Sequence, residues 1–258
     1  MEPEGSTTVH QSPYSLPPIR FCNEDILFCI DIGLESQVEM KISGPKGRPI
    51  TRLDSIKQAI LLFVHSKLTM NPDHRFAFAS LAQVASWHQK EFSNEVGATI
   101  AALRGLVYTH STQANADLTH LFRIAAHEAK KSRAQNRLLR VILIYCRSSS
   151  KPQYQWPASQ KIFTLDVIYL HDKPDPEKNC PQDVYDSLVD ALEHVSEHEG
   201  YIYESGQGLS RVLFRLMCVL LSHPQQRCVQ DDVDIPRSLT KKSTSVELIP
   251  VDDIPVSQ

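Results

Sequence analysis

Leu138-Leu139-Arg140-Val141-Ile142-Leu143-Ile144-Tyr145 (LLRVILIY) is the stretch that decides the fold class. It is too short for a free-standing helix, rich in β-branched residues and apolar at both odd and even positions. That is the pattern of a strand covered on both faces, since a strand with one wet face alternates. Two similar runs flank it, Asp25–Asp31 (DILFCID) and Phe163–Leu170 (FTLDVIYL).

Outward from these runs, helical spacing takes over. Thr51 suits an N-cap, and Leu53, Ile56, Ile60, Phe63, Val64 and Leu68 then form one apolar stripe. Arg75–Leu81 reads as a strand, with a short edge strand expected over Val84–Trp87. A second helix is expected to carry Phe92, Val96, Ile100, Leu103 and Val107. A third, opening near Asn115, carries Leu118, Leu121, Ile124, Ala125 and Ala129 and ends in Lys130-Lys131, where cations suit the negative end of the dipole. Pro181 starts a fourth, Tyr201–Glu204 is a short strand, and a last helix follows Gly208 and is stopped by Pro224.

Strands alternating with helices predict an α/β fold, a doubly wound and mainly parallel sheet flanked by helices. The expected organisation is a disordered leader over 1–20, one domain over 21–223 and an extended tail over 224–258. A chain of 258 residues buries roughly three quarters of its unfolded surface, enough for its own core. A net charge of −3 gives no basic surface for broad capture of nucleic acid, so no direct nucleic-acid partner is expected. No apolar run approaches the ~20 residues of a membrane span, and the N-terminus lacks the basic start and apolar core of a signal peptide. Cys22, Cys29, Cys146, Cys180, Cys218 and Cys228 form no CxxC pair and read as free thiols of an intracellular protein.

Catalytic patterns are missing from the sequence. Gly44-Pro-Lys-Gly47 lacks the spacing of a phosphate loop and reads as a connector. There is no GxSxG elbow, and no cysteine stands in a recognisable nucleophile pattern with a histidine. His194 and His198 lie one turn apart, a spacing that can hold a metal, but beside Gly200 they read as a polar helix end. His120 and His127 divide between a wet and a dry face, and Lys130, Lys131, Arg133, Arg137 and Arg140 read as a solvated helix end.

A strand ending in Asp31, a helix some twenty residues later and the VILIY strand together resemble the von Willebrand factor A domain. The family holds a divalent cation with a DxSxS loop after the first strand, a Thr between helices and an Asp after the fourth strand, because magnesium takes hard oxygen ligands. In this chain the loop is Asp31-Ile-Gly33-Leu-Glu35, so Gly33 and Glu35 stand at the serine positions. Tyr145-Cys146-Arg147 brings an arginine where the second Asp belongs, and Thr112 is a weak match for the Thr. The resemblance with these departures implies that the cation site is lost, with no cofactor.

Arg140–Ser148, Phe163–His171 and Leu220–Arg227 further resemble the scaffold subunits of the BRISC and BRCA-A deubiquitylase complexes. That resemblance implies a non-catalytic subunit in the nucleus and cytoplasm, acting in DNA double-strand break repair and the G2/M checkpoint. Its implied partners are a zinc-dependent JAMM-class deubiquitylase, a pseudo-enzyme scaffold and a ubiquitin-variant-domain subunit. The competing readings are a metal-binding adhesion-type von Willebrand A domain and an α/β enzyme whose site is assembled from distant loops. His223, Pro224, Gln226 and Arg227 form a proline-bearing extended peptide expected to dock on the ubiquitin-variant-domain subunit, with plain helix termination as the alternative. Val246–Ile249 followed by Asp252 and Asp253 has the apolar–acidic look of a SUMO-binding strand, though disorder is the expectation there.

Overall fold

The computed structural model describes residues 21–41, 50–109 and 115–233. The expected leader, the Gly44–Gly47 connector, Thr112 and the Val246–Ile249 segment lie outside them. In chain order the elements are β1 (Asn23–Asp31), β2 (Glu39–Met40), β3 (Ile50–Thr51), α1 (Arg52–Met70), β4 (Arg75–Leu81), β5 (Ala85–Ser93) and α2 (Val96–Gly105). They continue with β6 (Ala116–Asp117), α3 (Thr119–Ala134), β7 (Arg137–Tyr145), β8 (Pro152–Gln153), β9 (Thr164–Leu170), α4 (Pro181–Val195), β10 (Ile202–Ser205) and α5 (Ser210–Val219).

Six strands form one sheet in the order β10-β9-β7-β1-β4-β5. All neighbours are parallel except β5, which runs antiparallel on the edge. The LLRVILIY run is thus central, between β1 and β9, and its residues 138–145 are buried. Both faces are covered because the side chains of these strands alternate between two apolar layers. Leu27, Cys29, Val141 and Leu143 meet α3 and α4, whereas Ile26, Phe28, Ile142 and Ile144 meet α1, α2 and α5. On the second face Phe28 packs edge-on against Phe63 at 5.5 Å and stacks on Phe78 at 5.8 Å.

Local chemistry explains most of the element ends. Thr51 Oγ1 accepts the Asp54 amide at 3.0 Å and caps α1, and Pro181 opens α4. Three expectations need correction. Phe92 belongs to β5, which runs on to Ser93 because pairing with β4 reaches Phe76. The third helix opens at Thr119, not near Asn115, since β6 pairs with β8 and Asp117 Oδ1 accepts the Thr119 amide at 2.7 Å. The chain after Pro224 is not an extended tail as far as Val233: it makes two 3-10 turns, Pro224–Gln226 and Gln230–Asp232, against the domain. The reason is a guanidinium, Arg227, whose side chain is fully buried.

Candidate functional site

In a doubly wound sheet, ligands bind beyond the carboxyl ends of the strands. Here those ends are Asp31, Leu81, Tyr145 and Leu170, and the crevice between them is filled by salt bridges. Asp31 closes β1 and is fully buried. Its carboxylate accepts Arg147 Nε at 3.1 Å and Arg147 Nη2 at 3.2 Å, the Gly33 amide at 3.0 Å and the Cys146 amide at 3.2 Å. Arg147 also donates to the Ala82 carbonyl. Burial alone would lower the Arg147 pKa, but the Asp31 charge outweighs it and holds the guanidinium above its ordinary value.

The second serine position is equally committed. Glu35 Oε1 and Oε2 accept the Ser148 amide at 2.8 and 3.0 Å, and the Ser148 hydroxyl donates to it as well. Burial raises the Glu35 pKa against those hydrogen bonds. Arg52, only 2% exposed, reaches from the first turn of α1 over the ends of β7 and β9. It donates to the Cys146 and Leu170 carbonyls at 3.2 and 3.3 Å and to Asp172 Oδ1 at 2.9 Å. Asp172 in turn donates its amide to Ser148 Oγ at 2.8 Å.

This donor set does not fit a divalent cation. Both Asp31 oxygens are engaged by one guanidinium and two backbone amides, and Gly33 brings no oxygen. A Cβ at Gly33 would sit 3.1 Å from Asp31 Oδ1 and 3.6 Å from Arg147 Nε, so the absence of a side chain there makes room for the ion pair. Sequence reading found Asp31, Gly33, Glu35 and Arg147 but passed over Arg52. One signal was available: a cation in a first helical turn opposes the dipole and calls for an anionic or carbonyl partner.

The amino ends of the same strands hold a second charged cluster, which corrects the expectation that Arg137 and Arg140 lie on a solvated helix end: both belong to β7, and Arg140 is fully buried. Asp166, buried in β9, accepts Arg140 Nε at 2.5 Å from the neighbouring β7. Arg140 extends to Glu24 at 3.3 Å, and Glu24 also pairs with Lys67 of α1. For Glu24 and Asp166 alike, burial pushes the pKa up but the surrounding cations outweigh it and hold the carboxyl below the ordinary range. Beside them Asp25 binds Arg75, Arg137 and Ser132.

Arg227 belongs to this cluster. Its Nη1 and Nη2 donate to the two Asp166 oxygens at 2.6 and 3.0 Å, and its guanidinium lies 4.3 Å from the Tyr201 ring centre. His223 is buried, with Nε2 on the Cys22 carbonyl at 2.9 Å and Nδ1 accepting the Gln225 amide at 3.2 Å. Pro224 is buried, while Gln226 is exposed. Of the four residues expected to dock on a partner, His223, Pro224 and Arg227 thus have side chains packed within the domain, and Gln226 is the exposed one. Gln230 completes the strap: its carboxamide accepts the Ile202 amide and donates to the Ile202 carbonyl, both at 2.7 Å, along the free edge of β10. Of the expected histidine pair, His194 Nε2 lies 2.8 Å from the Trp156 carbonyl.

No family model matches the chain. Among curated proteins, BRISC and BRCA1-A complex member 1 of Xenopus laevis is 26% identical over 247 residues, covering 87% of this chain and 73% of the relative. The Homo sapiens protein of that name is 23% identical over 225 residues, covering 81% and 66%. Among solved structures, the SpRpn10 VWA domain matches with a TM-score of 0.51 and 13% identity, covering 75% of this chain and 94% of that one. The TFIIH p34 N-terminal domain matches with a TM-score of 0.51 and 12% identity, covering 76% and 96%. These structural likenesses establish a von Willebrand A-like fold. The sequence relatives are named as members of the BRISC and BRCA1-A complexes.

Proposed function

We propose that this chain, a von Willebrand A-like homologue of BRISC and BRCA1-A complex member 1, is a non-catalytic scaffold subunit of a ubiquitin-chain-editing complex. Its partners in this reading are a JAMM-class deubiquitylase, a pseudo-enzyme scaffold and a ubiquitin-variant-domain subunit. The work is done in the nucleus and cytoplasm, in double-strand break repair and the G2/M checkpoint. The relatives' names support membership of the complex.

One observation carries the non-catalytic part. The crevice where this fold class binds ligands is closed by Asp31–Arg147 and Arg52–Asp172, and its carboxylates already have partners. A general base or metal ligand needs a lone pair free to meet substrate. Among the described residues that line it, no nucleophile–base pair stands.

Affinity purification of the tagged protein from cells, with mass spectrometry, tests the reading. Near-stoichiometric recovery of a JAMM-class deubiquitylase and a ubiquitin-variant subunit is expected. A clean monomer would overturn it. Magnesium titration followed by thermal melting addresses the adhesion-type alternative, for which a concentration-dependent rise in Tm is required and none is expected here.

A further inference from the structure

Between α1 and α2 the surface carries a groove with a largely apolar lining. Its floor is Leu61, Ile100 and Leu103, and its rim is Lys57, Gln58 and Arg104, around a volume of about 460 Å³. Leu62, beside it, is 45% exposed. The lining is almost all carbon, and its two charges are both positive. Such a surface suits an apolar segment that carries acidic residues and no basic ones.

The chain contains one. Val246–Gln258 reads VELIPVDDIPVSQ: Val246, Leu248, Ile249, Val251 and Ile254 are interspersed with Glu247, Asp252 and Asp253, with no Lys or Arg. It lies beyond Val233, the last described residue, which packs on the same side of the sheet as α1 and α2. Gln230 fixes the preceding strap to β10, at one edge of the sheet, and α2 covers β4 and β5 at the other. Crossing from β10 to β4 is four strand spacings, roughly 20 Å at about 4.8 Å each. Residues 234–245, extended at about 3.3 Å per residue, span roughly 40 Å, enough to pass over the helical layer. Tethering also supplies an effective concentration on the order of millimolar, so modest contacts suffice.

From this we infer that Val246–Gln258 docks in the α1–α2 groove of its own chain, its apolar residues on Leu61, Ile100 and Leu103 and its carboxylates beside Lys57 and Arg104. The inference does not depend on the proposed function. Docked in this way, the segment and any partner with the same acidic–apolar chemistry would compete for one site.

Zero-length carbodiimide cross-linking of the full chain, read by peptide mass spectrometry on the monomer band, tests this. The Lys151–Asp183 pair, 3.0 Å apart, serves as the internal positive control. The expected result is amide linkage of Lys57 to Glu247, Asp252 or Asp253 in the monomer, at a yield independent of protein concentration. A Leu61→Asp, Ile100→Asp variant that retains the Lys151–Asp183 link should lose it. Overturning results are the control link without any Lys57 link to this segment, a Lys57 link confined to dimers (a second copy is then the occupant), or a link that survives in the variant.

Discussion

Replacing Arg227 with alanine separates an internal role from a docking role. The guanidinium makes a bidentate bond with Asp166, donates to the Glu199 carbonyl at 2.9 Å and lies against Tyr201. Both partners of the ion pair have fully buried side chains. Removing one partner of such a pair leaves a buried charge short of compensation and costs about 3–5 kcal/mol. Arg140 still holds Asp166, so the lower end, about 3 kcal/mol, is the expected loss. For a domain of this size each kcal/mol moves Tm by about 2–4 °C, which gives a fall of roughly 6–12 °C. Arg133→Ala is the control, because Arg133 and Glu197 pair at the surface and such pairs are worth under about 1 kcal/mol. Arg227→Lys should recover only part of the loss, since an ammonium cannot make the bidentate bond. The assay is urea and thermal unfolding of the three variants beside the parent. A melting temperature for Arg227→Ala within a degree or two of the Arg133→Ala value would refute the placement of Arg227 in the core and return it to the surface.

Acid should destabilise the fold from near pH 6.5 downward. Burial, with Lys67 nearby, lowers the His74 pKa to about 4, and burial lowers that of His223 as well. The unfolded chain therefore takes up protons that the native state refuses, and stability falls as pH drops from the unfolded histidine value, by up to about 1.4 kcal/mol per pH unit per proton. The lowered carboxyls of Glu24, Asp25 and Asp166 extend the loss below the unfolded carboxylate range. Unfolding free energies from pH 7.5 to 4.5 should show the slope, and His74→Gln should flatten it; an unchanged slope would remove His74 from the account. Gly200→Ala should be severely destabilising, because the new Cβ would lie 2.2 Å from the Leu165 carbonyl oxygen, whereas Gly97→Ala meets nothing within 4 Å and should raise helix stability by about 0.5–1 kcal/mol. Equal Tm changes for the two would contradict the packing. Asp31→Asn should lower Tm by several degrees, since it leaves Arg147 buried beside a neutral amide, and added magnesium should not restore it.

Much of the sheet was legible because its cause is local. DILFCID, LLRVILIY and FTLDVIYL announce strands wet on neither face, and in the structure they are adjacent as β1, β7 and β9. The Thr51 cap and the Pro181 start were legible for the same reason, as each acts within four residues of itself. The spacing of Phe92 to Val96 and Ile100 is helical, but pairing with β4 overrides it, and no local signal shows that pairing.

The candidate site divides along the same line. Asp31, Gly33, Glu35 and Arg147 were picked out by their positions after two strands, but a sequence does not say that a guanidinium will meet a carboxylate 116 residues away. Arg140 and Asp166 carry a visible anomaly, one charge inside each of the apolar runs LLRVILIY and FTLDVIYL. Only their diagonal meeting across β7 and β9, where Arg140 stands opposite Thr164 and Asp166 opposite Ile142, turns two costly burials into one ion pair. Arg227 follows a proline after a helix, and by sequence alone it looks available to dock on a partner. Its partners, Asp166, Glu199 and Tyr201, come together through the return of the chain past the sheet edge. The sequence by itself determined which segments are dry on both faces, and so the layered α/β plan. Which charges those layers bury, and hence which surfaces remain for partners, was decided only by tertiary structure, because an ion's burial is tolerable or ruinous according to a neighbour that the linear chain places far away.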